Sequence, residues 1–229
     1  MPYLVAPAPD FTDGVLTTTA NALIRPTALL TGLTNGTAYR AVRLSDASAP
    51  FTPVAVATGF TDDFARANGP LAGGNWTVLF GSATAFDIVG GQAVTDETTD
   101  TGIACPDLSV GSVAYVEADI RALVTGGGIA LIQNAQNYIF LRANATNGLL
   151  SVGGRVANTL FGPANAASNA AAVGSRLRLE VNGVNWQTYK NGTPVHSGTL
   201  TAALTNLRGG FINRSTAGIA WDNFAHGPL

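Results

Sequence analysis

Arg176-Leu177-Arg178-Leu179-Glu180-Val181-Asn182-Gly183-Val184-Asn185-Trp186-Gln187-Thr188-Tyr189-Lys190-Asn191-Gly192-Thr193-Pro194-Val195-His196-Ser197 is the stretch that decides the fold. Leu177, Leu179 and Val181 alternate with Arg176, Arg178 and Glu180, the period of a half-buried strand. Asn182-Gly183 reads as a turn, Val184 to Lys190 as the next strand, Asn191-Gly192 as a second turn, and Thr193 to Ser197 as the returning strand. Asn-Gly between alternating segments marks a two-residue hairpin, because both turn positions take positive φ. The stretch is therefore a three-stranded meander. Trp186 and Thr188 face inward on it, and Asn185, Gln187 and Tyr189 share the opposite face.

Strand signals continue on both sides. Over Ser112 to Val124, Ala114, Val116, Ala118 and Ile120 point one way, while Tyr115, Glu117, Asp119 and Arg121 point the other. Gly126-Gly127-Gly128 breaks that strand; Ile129 to Gln133 and Tyr138 to Arg142 follow, Asn147-Gly148 turns the chain into Leu149 to Val152, and Gly218 to Phe224 is the last strand. The Ala-rich stretch Ala164 to Val173 reads as a loop, because Pro163, Asn165, Ser168, Asn169 and Gly174 interrupt it. No window shows the i, i+3, i+4, i+7 spacing of an amphipathic helix. Short strands with turn signals roughly every 8–12 residues predict an all-β sandwich or barrel.

Composition agrees and narrows the partners. Charged residues are only 11% of the chain and the net charge is −2, so no basic stripe exists to neutralise nucleic-acid phosphates. No apolar run approaches the ~18 residues of a membrane-spanning helix. The single Cys105 excludes an intrachain disulfide, and with His196 and His226 far apart in sequence it excludes a zinc set. Cys105 reads as a buried structural residue, and both histidines as surface residues. Met1-Pro2-Tyr3-Leu4 lacks the basic and apolar regions of a secretion signal.

The first sixty residues differ. Pro2, Pro7, Pro9, Pro26, Pro50 and Pro53 fall there. Leu33-Thr34-Asn35-Gly36-Thr37-Ala38-Tyr39, followed by alternation through Leu44, resembles the corner of a fibronectin type III domain, where a tyrosine ties down the turn. We read residues 1–59 as a small Pro-rich β subdomain for attachment or oligomerisation, and residues 60–229 as one antiparallel jelly-roll domain. A homo-oligomer is expected, since so short a segment buries little apolar surface alone.

From Asp62 onward the order of features resembles the concanavalin A-like lectin/glucanase superfamily, in its laminin-G-like jelly-roll branch. The residues that carry the resemblance are Asp62-Asp63-Phe64, Gly74-Asn75-Trp76, Gly90-Gly91-Gln92-Ala93, Tyr115 to Asp119, Asn137 to Arg142, Arg178 to Gly183, Tyr189 to Gly192, and the closing Trp221-Asp222-Asn223-Phe224. The resemblance implies a two-sheet sandwich, and it leaves lectins, hydrolases, adhesion modules and virion parts open as functions.

Three chemistries are tested against their plainer readings. Glucanases of this superfamily carry E-x-D-x-x-E on one strand; Glu117 and Asp119 fit the first two positions, but Ala122 stands at the third. A retaining mechanism needs both carboxyls, so the plainer reading is a solvated face on which Arg121 pairs with its neighbours, and no catalytic residue is assigned. Asp96, Glu97, Asp100 and Thr101 offer hard oxygens for calcium, and Asp63 with Asp222 could share an ion between the first and last strands; no spaced D-x-D-x-D-G loop accompanies them, which favours an acidic loop. Sugar recognition uses an aromatic face and neutral amides. Asn185, Gln187 and Tyr189 supply both, and Tyr138 and Arg142 are expected to extend the same surface. Trp76 and Trp221 read as core. The function this supports is a non-enzymatic module binding cell-surface polysaccharide, on a spike, fibre or decoration protein at a phage-like particle surface, attached to other particle proteins through the N-terminal segment. A secreted glycan-binding or glycan-cleaving protein and a purely structural virion protein are the alternatives.

Overall fold

The structure is a computed structural model that describes residues 59–105, 111–165, 170–214 and 217–229, with backbone alone over 163–165 and over the N-terminal strands at 3–7, 16–18, 39–43 and 46–51. The chain divides into two compact units, Met1–Val56 and Ala57–Leu229.

In the first unit, β1 (Tyr3–Pro7), β2 (Leu16–Thr18), β3 (Tyr39–Arg43) and β4 (Asp46–Phe51) form one antiparallel sheet ordered β2-β1-β3-β4. The alternating segment after Tyr39 is thus a strand. The turn from Leu33 to Ala38 lies outside the described residues.

The second unit is a sandwich of two antiparallel sheets, and no helix occurs among the described residues. Its strands are β5 (Phe60–Asp62), β6 (Gly69–Pro70), β7 (Thr77–Phe80), β8 (Phe86–Ile88), β9 (Ala93–Thr95), β10 (Thr101–Ala104), β11 (Val113–Ala122), β12 (Gly128–Asn134), β13 (Asn137–Ala143), β14 (Leu150–Val156), β15 (Thr159–Asn165), β16 (Arg176–Asn182), β17 (Asn185–Lys190), β18 (Thr193–Thr199), β19 (Arg208–Asn213) and β20 (Ala220–Gly227). One sheet runs β18-β17-β16-β11-β20-β9-β8-β6, with β5 paired to β20; the other runs β15-β14-β13-β12-β19-β10-β7.

The alternation seen in the sequence places the core. Leu177, Leu179, Val181 and Trp186 of the first sheet, and Ala114, Val116, Ala118 and Ile120 beside them, bury against Ile129, Leu131, Ile139, Leu141 and Phe211 of the second. Burial of each large side chain here contributes about 1.5–3 kcal/mol. Trp76 is core as expected, stacked on Phe211 with centroids 5.5 Å apart, and Trp221 stacks on the same ring at 6.0 Å. Cys105 is buried.

Four expectations are corrected. The first hairpin turn sits one residue later than Asn182-Gly183: Asn182 pairs with Asn185, so Gly183-Val184 is the loop, and Gly183 takes φ 63°. This is the arrangement with glycine first, which asks nothing unusual of the asparagine. The second turn is Asn191-Gly192 as read, with φ 50° and 77°. The stretch read as a loop from Ala164 begins in strand, because β15 continues through Asn165. His226 is fully buried in β20, its Nδ1 2.7 Å from the Tyr115 carbonyl oxygen, because Gly209 opposite it carries no side chain. Finally, Tyr138 and Arg142 lie on β13, in the sheet opposite the one that holds Asn185, Gln187 and Tyr189.

Candidate functional site

The outward residues of β17, β16, β11 and β20 build one polar face. Cross-strand register sets Gln187 opposite Glu180, Tyr189 opposite Arg178, Arg178 opposite Glu117 and Arg176 opposite Asp119. Arg176 joins Glu117 at 2.8 Å and Asp119 at 2.9 Å. Arg178 joins Glu180 at 2.6 Å and Glu117 at 3.3 Å, with its guanidinium 3.9 Å above the Tyr115 ring. The Tyr189 hydroxyl donates to Glu180 at 2.9 Å. Burial first, and then the Glu180 carboxylate beside it, raise the Tyr189 hydroxyl above its usual range, so it stays protonated and donating.

The expected pairing of Arg121 with Glu117 and Asp119 is not what forms. Arg121 reaches across to Asp222 on β20, at 2.8 Å, and Arg176 takes Asp119 instead. The cause is a bulge in β20. Its register against β11 slips between Glu117 and Asp119, and Asn223 adopts φ 50° there. The bulge turns the Asn223 amide onto Asp119 at 2.7 Å and its carbonyl onto Arg176 at 3.1 Å. Both Glu117 oxygens are held by arginines, and both Asp119 oxygens accept hydrogen bonds.

Next to this network, towards β18, lies an open hollow of about 440 Å³ lined mainly by uncharged side chains. Asn182, Asn185, Gln187, Ser197 and Thr199 line it, with Glu180 at one side and the C-terminal Leu229 at another. The Gln187 amide donates to the carbonyls of His196 at 2.9 Å and Thr188 at 3.1 Å, which fixes the side chain and leaves its oxygen outward. Asn185 is exposed, and no hydrogen bond ties its side chain among the described residues. Two of the expected sugar-contacting residues, Asn185 and Gln187, therefore meet in one hollow. Tyr189 lies beyond Gln187 on the same face. Ser197 and Thr199 were missed by sequence reasoning; their pairing with Gln187 and Asn185 follows only once the hairpin register is known.

The expected metal residues do not converge. Among the described residues no group of three His, Cys, Asp or Glu side chains is placed to hold an ion. Asp63 caps the Ala65 N–H at 3.0 Å, and Asp222 is engaged by Arg121. Glu97 accepts from the Thr84 hydroxyl, and Asp100 pairs with Arg214 at 3.3 Å. The Asp96 carboxyl is pushed up, by burial first and then by the neighbouring charges of Asp87 and Glu97.

No protein-family model and no curated protein sequence matches the chain. Solved structures do match it. A prokaryotic β-1,3-1,4-glucanase (lichenase) from a mouse hindgut metagenome aligns with TM-score 0.53 at 9% identity, over 75% of this chain and 100% of that one. The β-glucanase of Bacillus licheniformis aligns with TM-score 0.52 at 12% identity, over 75% of this chain and 98% of that one. A carbohydrate-binding module from Bacillus subtilis aligns with TM-score 0.48 at 17% identity, over 67% and 95%. The sandwich is an antiparallel jelly roll, the fold it shares with the two glucanases.

Proposed function

We propose that the sandwich Ala57–Leu229 is a non-enzymatic glycan-recognition module whose contact surface is the hollow at Asn185 and Gln187, extended by Tyr189. The observation that carries this reading is the side-by-side placement of exposed neutral amides and hydroxyls in one open hollow, with an aromatic ring further along the same strand. Asn185 to Tyr189 spans roughly 13–14 Å of strand, the length of two or three sugar rings. Neutral donors and acceptors suit sugar hydroxyls. The sharing of this fold with glycan-directed proteins supports the reading.

Absence of catalysis is part of the proposal. Glu117 and Asp119 are bound up in arginine and asparagine contacts, and Ala122 supplies no third carboxyl. Binding at an open, shallow face is weak per site, so useful avidity needs several copies. The proposal therefore sets the chain on the exterior of a phage-like particle, with Met1–Val56 attaching it to other particle proteins or to further copies of itself. That the N-terminal segment is a compact unit of its own supports such a division of labour. Tail or capsid genes beside this one, and an oligomer by light scattering of the full chain, are the expected findings. A glycan array probed with the full chain displayed multivalently on streptavidin tests the recognition. Retention on neutral polysaccharides is expected; no retention on any glycan contradicts it.

A further inference from the structure

The outer face of the other sheet is built on different chemistry. Phe80 on β7 and Tyr138 on β13 are four strands apart in the order β13-β12-β19-β10-β7, which in a flat sheet is about 19 Å. Their ring centroids are 5.4 Å apart. The two side chains reach towards each other across the intervening strands, and the Phe80 ring lies directly on Gly102 of β10, where any Cβ would strike it. Ala130, Ile132, Tyr138, Phe140 and Ile212 form a second apolar cluster there, separate from the sandwich core.

At one end of this face the cluster opens into a hollow of about 160 Å³, lined by Phe140, Leu160, Phe161 and three glycines, with Arg142 and Arg214 beside them. Arg214 is held by Asp100 at 3.3 Å and by the Tyr138 hydroxyl at 3.3 Å. Arg142 has no carboxylate partner among the described residues; its guanidinium lies 5.7 Å from the Phe140 ring centroid. Burial, and then the positive charge of Arg214, favour loss of the Arg142 proton relative to an ordinary arginine. Two guanidinium groups thus share an apolar-floored hollow, and Asp100 is the carboxylate the described residues place beside them, on Arg214. Such an arrangement is electrostatically unfavourable when empty and is relieved by an anion.

We propose that this hollow binds the carboxylate of an acidic sugar residue. Arginine forks match a planar carboxylate through paired hydrogen bonds. The exposed Leu160 and the partly buried Phe161 ring supply the apolar surface against which the C–H face of a sugar ring rests, with the buried Phe140 beneath them. Gly153 and Gly162 add no side chain to the opening. The volume is below the roughly 300 Å³ at which drug-sized sites begin, so the hollow takes one ring and not a chain segment. It is a second site, on the sheet opposite the hollow at Asn185 and Gln187, and stands whether or not that one binds glycan.

Nuclear magnetic resonance titration of the full chain with galacturonate, galactose, acetate and inorganic phosphate tests the proposal. Galacturonate is expected to saturate with shifts at Arg142, Leu160 and Phe161, and galactose, acetate and phosphate to bind at least tenfold more weakly. Arg142→Gln is expected to weaken galacturonate about tenfold with an unchanged thermal midpoint, and Arg142→Lys, which keeps the charge and loses the fork, to fall between. Galactose binding as tightly as galacturonate overturns the charge requirement. Acetate or phosphate binding as tightly overturns the ring requirement. Undiminished galacturonate binding in both Arg142 variants overturns the site.

Discussion

The indole N–H of Trp76 donates to the Asp62 carboxylate across 2.7 Å, and so ties the strand that opens the sandwich to the aromatic centre of its core. The same carboxylate accepts from the Phe64 N–H at 2.8 Å and from Arg66 at 2.7 Å. These contacts hold Phe64 at φ 53°, a conformation costly for a bulky side chain, with its ring fully buried against both Trp76 and Phe211.

Burial acts to raise the Asp62 pKa, but the hydrogen bonds from Arg66, Trp76 and Phe64 outweigh it and hold the carboxyl below its usual value. A depressed carboxyl contributes stability that is present above the unfolded pKa, about 3.9, and is lost as pH falls through the lower folded value. Asp62→Asn is expected to cost about 1.5–3 kcal/mol at pH 7. Urea unfolding across pH is expected to show that gap shrinking below about pH 4. A gap that persists unchanged in acid contradicts the role given to the charge.

The hairpin between β14 and β15 turns through Ala157 and Asn158, with φ 49° and 63°. Alanine in that region costs about 1–2 kcal/mol, part of which glycine returns to chain entropy. Ala157→Gly is expected to stabilise the protein by about 0.5–1 kcal/mol in the same urea experiment. A loss of stability contradicts the assigned turn.

A Cβ at Gly209 would lie 2.4 Å from Cγ and 2.5 Å from Cβ of the buried His226. Gly209→Ala is expected to cost about 1–3 kcal/mol, the range for overpacking a closed core. A neutral substitution contradicts the close packing of β19 on β20.

These three sites show what the sequence could and could not disclose. Asn191-Gly192 announced its turn because both residues tolerate positive φ, whereas Ala157-Asn158 makes a similar turn with a residue that gives no such signal. Trp186 and Thr188 were legible as inward from alternation alone. In the sequence His226, a polar residue near the chain end, resembles a surface residue of a tail, and only Gly209 across from it, distant in sequence, makes room for its burial. Alternation places Asn185 and Gln187 on one outward face; the sheet that holds Tyr138 and Arg142 depends on strand order, which local pattern does not encode.

The proposed absence of catalysis rests on the polar face, where arginines pair with Glu117 and Asp119. The 229-residue chain incubated with laminarin or lichenan is expected to release no reducing ends. Release that disappears in Glu117→Gln contradicts the non-catalytic reading.

Affinity electrophoresis of the full chain through gels containing neutral polysaccharide tests the central proposal most directly. Wild type is expected to be retarded, with little change on raising the salt, because the hollow at Asn185 and Gln187 is lined largely by uncharged groups. The double variant Asn185→Ala, Gln187→Ala is expected to lose about tenfold in affinity, equivalent to about 1.4 kcal/mol, and Tyr189→Ala a comparable amount. Retardation of the double variant equal to that of wild type, with both proteins folded, would contradict the assignment of glycan recognition to this face.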